Sequence, residues 1–250
     1  LVFQSLTSSL EDLALEDLAM IDCQVLATKF SSTTLKNLII TSRNLDVYGF
    51  DFDNDFEDLV IDAPNLISLH LEDLPFLAPC LLNVSSLVTA SISLEEESFS
   101  SSDAKYSIVG ALSNVTKLKL LSPVDNYYYY PSLLNKVLKR DLRRCQTFKN
   151  LKKLSIGDWC VDGDLHALFH LLRLSPTIQK LTLRLGSIGA WVNHRETDES
   201  EVEKVNCEHL KKVKITCVQG DKRVPNIVKI ILTNAKSLLE IIIKPYERWY

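Results

Sequence analysis

One spacing governs what this chain can fold into: apolar-x-x-apolar-x-apolar. It returns as SLEDLAL, TLKNLII, NLISLHL, SLVTASI, NVTKLKL, NLKKLSI, TIQKLTL, HLKKVKI and SLLEIII. The first anchors are Leu10, Leu35, Leu66, Leu87, Val115, Leu151, Ile178, Leu210 and Leu238, separated by 21 to 36 residues. Aliphatic residues are abundant, so spacing alone is weak evidence of repetition. A second feature recurs with it. The residue before each first anchor is Ser9, Thr34, Asn65, Ser86, Asn114, Asn150, Thr177, His209 or Ser237, always Ser, Thr, Asn or His. Two coincident signals at one period point to an internal repeat.

Each unit reads as a short strand with alternating faces, and its apolar face cannot be buried by one unit alone. Stacking the units gives a parallel sheet, and parallel strands need a crossover between them. Helical crossovers are predicted at Ser132 to Cys145, Gly163 to Leu174 and Asn226 to Ala235, with Pro131 and Pro176 as boundaries. The expected fold is therefore α/β: an irregular leucine-rich-repeat solenoid, with the sheet on the concave face and helices and loops on the convex face.

Three stretches carry a resemblance: "LVIDAPNLISLHL" (Leu59 to Leu71), "LSPTIQKLTLRL" (Leu174 to Leu185) and "CEHLKKVKITCVQGDKRVPNIVKIILTNAKSLLEIIIKP" (Cys207 to Pro245). Together they resemble the leucine-rich-repeat region of plant F-box proteins that end in an FBD module, an RNI-like solenoid, and the likeness spans nearly the whole chain. It implies a solenoid over residues 1–206 continued by FBD-like terminal repeats over 207–250. It also implies a protein-binding role, the substrate-recognition part of an SCF-type ubiquitin ligase. No Leu-Pro followed by adaptor-docking helices is visible, so a Skp-type adaptor is implied only with an F-box upstream. Where the family opens its last helix with an acid, this chain has Val224-Pro225.

Charge divides the repeats. Residues 1–125 hold 6 Lys and Arg against 19 Asp and Glu, net −13; residues 126–250 hold 22 against 13, net +9. The outward positions of the first four strands carry Asp12, Glu16 and Glu72 and no base. Those of the last five carry Lys117, Lys119, Lys153, Lys180, Arg184, Lys212, Lys214 and Lys244, with Glu240 the one acid. Adjacent rows of like charge reinforce one another's field. The first seven of these bases are the candidate binding residues, suited to a protein partner that is acidic or phosphorylated. The competing view is that they merely keep an exposed face soluble. An anionic-ligand sensor and a structural remnant without ligase coupling stay open as alternatives. Nucleic acid is not expected, because the basic strands lack interleaved aromatics for stacking.

Tyr127, Tyr128, Tyr129 and Tyr130 stand in the longest gap between anchors; four in succession cannot all face one core, so they are candidate loop contacts. Calcium is not expected at DFDNDFED (Asp51 to Asp58), where Phe56 occupies the position that needs glycine. His166 and His170 are one helical turn apart with no evident third ligand, so no metal is expected there. EEESFSSSDAK (Glu95 to Lys105) and WVNHRETDESEVEK (Trp191 to Lys204) read as polar insertions. No phosphate-binding loop, nucleophile elbow or paired-cysteine centre occurs, so neither an enzyme nor a cofactor is expected. The six cysteines are widely spaced, as expected for buried thiols in the cytoplasm or nucleus. No apolar run approaches the roughly 18 residues of a membrane span, so no membrane association is expected. The chain begins at Leu1 without a visible signal peptide, and a fragment or processed chain is the expectation.

Overall fold

The computed structural model describes residues 10–18, 29–42, 57–74, 77–94, 107–121, 142–143, 145–157, 165–186, 205 and 207–246. Among them the fold is α/β, with one large parallel sheet and few helices. The large sheet contains β1 (Asp12–Leu18), β3 (Asn37–Ser42), β5 (Ser68–Glu72), β7 (Thr89–Ser93), β8 (Lys117–Leu121), β9 (Lys153–Gly157), β10 (Lys180–Arg184), β11 (Lys212–Cys217) and β12 (Glu240–Pro245), side by side in chain order. Each of the nine predicted units supplies one strand. This order is compatible with solenoid-like stacking, in which every unit meets only its neighbours.

The register aligns the anchors. Leu13, Leu38, Leu69, Ala90, Leu118, Leu154, Leu181, Val213 and Ile241 pair in one row, and Leu15, Ile40, Leu71, Ile92, Leu120, Ile156, Leu183, Ile215 and Ile243 in another. From β3 to β11 these side chains are buried. At roughly 1.5–3 kcal/mol for each large aliphatic side chain, such rows are the main force holding strand to strand.

A second device fixes the entry to each strand. The residue after each first anchor, from Lys36 to Leu239, donates its N–H to the equivalent carbonyl of the preceding unit. The next N–H donates to the same oxygen, at 2.7 to 3.2 Å throughout. Glu11, Lys36, Ile67, Val88, Thr116, Lys152, Gln179 and Lys211 are the successive acceptors. A tight turn precedes this ladder. Leu66, Leu87, Val115, Leu151, Ile178 and Leu210 donate their N–H to the carbonyl three residues back, on Ala63, Val84, Leu112, Phe148, Ser175 and Cys207. At Leu35 the acceptor is instead the Ser32 hydroxyl, 3.2 Å away.

The polar residue before the first anchor has its own task. Thr34 Oγ1 donates to the Leu10 carbonyl (2.7 Å), Asn65 Nδ2 to the Thr33 carbonyl (2.6 Å) and Thr177 Oγ1 to the Lys149 carbonyl (3.0 Å). In these three units the side chain reaches back one unit, a task that a short hydrogen-bonding residue can perform.

The returns differ between the two halves. In the N-terminal half, β2 (Lys29–Ser31), β4 (Glu57–Asp62) and β6 (Leu77–Leu82) form a separate parallel sheet in the order β2-β4-β6, where helices and loops were expected. Its Phe30, Leu59, Ile61 and Leu81 join the same core as the anchors. Strands cross a short return in fewer residues than a helix, because each residue advances about 3.3 Å rather than 1.5 Å. Pro79 lies in β6, an outer strand of this sheet among the described residues, where proline is tolerated better than in a central strand.

Helices appear further on: α1 (Ile108–Ala111), α2 (His166–Leu174) and α3 (Arg223–Asn234). Helix α2 starts three residues later than predicted, after Leu165 with its positive φ of 57°, and ends before Ser175-Pro176. Helix α3 starts three residues earlier, because Pro225 fits inside the first turn, where backbone N–H groups lack helical partners anyway. Of the helix predicted at Ser132 to Cys145, all but residues 142–143 and 145 lies outside the described residues. Strands β11 and β12, in the predicted FBD-like segment, extend the same sheet. No helix among the described residues is long and apolar enough to cross a membrane.

Candidate functional site

Opposite the core, the sheet presents three rows of side chains. The first row reads Asp12, Asn37, Ser68, Thr89, Lys117, Lys153, Lys180, Lys212 and Glu240. Lys119, Ser155, Thr182 and Lys214 stand abreast in the second row, and Arg184 pairs with Gly157 and Thr216 in the third. All seven predicted basic residues therefore share one face. Four lysines occupy consecutive strands in the first row. Neighbouring strands lie about 4.8 Å apart, so Lys117 to Lys212 span roughly 14 Å.

The lysines are not equivalent. Lys212 Nζ lies 2.5 Å from Glu240 Oε2 on the next strand, so its charge is paired with that neighbour. Lys117, Lys119, Lys153 and Lys180 are exposed, and Lys214 is half-buried. Like charges directly abreast on one sheet face destabilise it by a few tenths of a kcal/mol per pair. The row Lys117–Lys153–Lys180 accepts that cost twice over.

Arg184 is positioned by an absence. A Cβ on Gly157 would lie 2.6 Å from the Arg184 Cβ and 2.9 Å from its carbonyl oxygen. Glycine lets β10 approach there, and Leu121 closes the other side.

The acidic half is organised differently. Asn37 Nδ2 donates to Asp12 Oδ1 at 2.5 Å, and His70 Nε2 lies 3.0 Å from Glu72 Oε2. These polar groups satisfy one another across and along strands.

Tyr127, Tyr128, Tyr129 and Tyr130 lie outside the described residues, as do the insertion spanning Trp191 to Lys204 and positions 51–56 of the acidic stretch. His166 and His170 share α2, and Arg173 lies 3.4 Å from His170 Nδ1. Among the described residues no three His, Cys, Asp or Glu side chains gather as a metal site.

The sequence reading missed a buried ion pair behind this face. Arg223 and Asp221 have fully buried side chains. Arg223 Nε and Nη2 grip Asp221 Oδ1 (3.0 Å) and Oδ2 (2.7 Å). Asp221 Oδ1 also accepts the Arg223 backbone N–H (2.9 Å), and Arg223 Nη2 donates to the Gly186 carbonyl (2.5 Å). Asp221 stands two residues ahead of α3, and the clasp ties α3 to the chain leaving β10. The only sequence clue was a charged pair beside an apolar helix with Gly220, at φ 79°, turning just before it.

Cys207 and Cys217 are buried in the same repeat. Burial pushes the Cys207 thiol from its ordinary 9.0 up to about 12. Cys217 is raised by burial and by the nearby Asp221 carboxylate, with Arg223 acting against. Both thiols are poor nucleophiles. Glu208 is held below the usual carboxylate range by its hydrogen bond and charge pairing with Lys236 (2.7 Å). Comparison with family models, with curated proteins and with solved structures finds no match for this chain.

Proposed function

We propose that the chain is a protein-interaction module: an irregular leucine-rich-repeat solenoid whose basic sheet face captures an acidic or phosphorylated segment of a partner protein. One observation carries the reading. Lys117, Lys153 and Lys180 stand abreast on consecutive strands with Lys119 and Lys214 beside them, an arrangement that costs stability until an anion neutralises it. Rows held in register by the core and the carbonyl ladder need little backbone ordering at binding, and the cost on this side is that of fixing the lysine side chains. The resemblance to the F-box family suggests what capture accomplishes: presentation of the partner for ubiquitylation, with the adaptor contact supplied by an F-box elsewhere in the full product.

The test uses two labelled peptides, one rich in glutamate and one carrying phosphoserines, followed by fluorescence anisotropy. Reversing Lys117, Lys153 and Lys180 to Glu is expected to weaken binding at least about tenfold, and added salt should weaken the native interaction further. Undiminished binding by the triple variant overturns the basic-face assignment. Binding of inorganic polyphosphate in preference to both peptides favours the anionic-ligand sensor instead.

A further inference from the structure

The C-terminal edge of the large sheet is unlike its interior. Strand β12 is outermost among the described residues, with β11 on one side only. Its anchor Ile243 is 50% exposed, whereas Ile215, in the same row of β11, is 0% exposed. Leu239, at the entry to β12, is 82% exposed. A strand with free backbone groups and uncovered apolar side chains is a template for pairing with another strand.

The backbone phase shows which groups have no partner among the described residues. Glu240 N–H donates to Lys211 and Tyr246 N–H to Cys217, both on the β11 side. Alternation along a strand then directs Ile242 and Lys244 the same way and turns the N–H and C=O of Ile241 and Ile243 to the open edge. Pro245 has no N–H to offer there and closes the run.

The residues from Glu240 to Lys244 read Glu-Ile-Ile-Ile-Lys. Laid antiparallel against itself, with Ile242 opposite Ile242, this segment matches at every position. Ile241 meets Ile243 of the second copy in both hydrogen-bonded pairs, which is where the free backbone groups are. Glu240 meets Lys244 twice in the closer, non-hydrogen-bonded pairs. Leu239 and Pro245 meet outside them. Glu240 would then sit between Lys212 of its own chain, 2.5 Å away, and Lys244 of the other.

We propose that β12 is a homodimerisation edge, pairing antiparallel with β12 of a second copy about a two-fold axis through Ile242. The axis runs perpendicular to the sheet, so the two large sheets join into one. Both lysine-bearing faces then lie on the same side, flanking the axis. The interface is isologous and closes at two copies.

Sedimentation of the 250-residue chain across the micromolar range tests this. A concentration-dependent dimer is expected. Glu240→Lys and Lys244→Glu each place two like-charge pairs in the interface, and each should weaken dimerisation at least about tenfold. The combined variant recreates both opposite-charge pairs with signs exchanged and should recover most of the native affinity. It keeps whatever disturbance Glu240→Lys causes at Lys212, so recovery reads the interface alone. Circular dichroism of the three variants checks that the exposed changes leave the fold intact. A chain monomeric throughout the range overturns the proposal. So does assembly beyond two copies, or a dimer that the combined variant fails to recover.

Discussion

Ser175 sits at the first position of the turn that precedes each strand, with its carbonyl accepting the Ile178 N–H. The same position holds Ala63, Val84, Leu112, Phe148 and Cys207, all buried and none needing a side-chain partner. The Ser175 hydroxyl is buried with no hydrogen-bond partner among the described residues. Ser175→Ala removes an unsatisfied polar group and leaves the backbone turn intact, so it is expected to stabilise by about 1 kcal/mol in urea unfolding. A loss of stability would mean that the hydroxyl has a partner. Cys207 in the equivalent turn makes a pH prediction. Its neutral thiol is favoured in the folded chain, with the ionisation pushed from 9.0 to about 12. The unfolded thiol releases its proton first as pH rises. Stability from this residue is therefore full below pH 9.0 and is lost progressively as pH rises toward about 12. Cys207→Ala should flatten that alkaline decline, as measured by melting temperature against pH. The positions around these turns were half visible in the sequence. The polar residue before the anchor stood out, and at Thr34, Asn65 and Thr177 its hydrogen bond to the preceding unit needs that chemistry. The turn-opening residue did not, because a buried carbonyl contact accepts almost any side chain.

At the scale of elements, α3 depends on the clasp at its start. Arg223→Met leaves the Asp221 carboxylate buried beside an apolar side chain and strips the Gly186 carbonyl of its donor. Breaking one partner of a buried pair costs about 3–5 kcal/mol. Asp221→Asn combined with Arg223→Met keeps an acceptor for the backbone N–H without the stranded charge, and should recover a substantial part of that loss in urea unfolding. A cost below about 1 kcal/mol for Arg223→Met alone would show that packing, not the pair, seats the helix. The strand elements of the large sheet were legible because their alternation is short-range and repeated nine times. The second sheet was harder to foresee. KFS and LAPCLL carry too few residues, or too uniform an apolar character, to separate strand from loop by pattern. The starts of α2 and α3 were missed by three residues each, since Leu165 leaves the helical region against its type's preference and Pro225 reads as a stop until its place in the first turn is known.

For the whole molecule, the charge division read along the chain becomes a division in space, because strand order in the sheet follows chain order. The candidate rows could be placed from sequence down to single residues, as the register pairs the Lys117, Lys153, Lys180 and Lys212 positions directly. What sequence could not supply was the inequality among them. Lys212 is matched by Glu240, a neighbour 28 residues away whose distance depends on rotamers rather than on register. The shared carbonyls at the strand entries carry a further implication, for descent rather than for binding. Each unit's alignment is fixed at its entry, by two N–H groups on one oxygen, and nothing in that bond counts the residues of the return. Returns between first anchors already vary from 21 to 36 residues while the rows stay straight. Insertions and deletions can therefore accumulate on the far side without moving a single side chain on the sheet face, so lineages can diverge freely in length and still inherit the same surface.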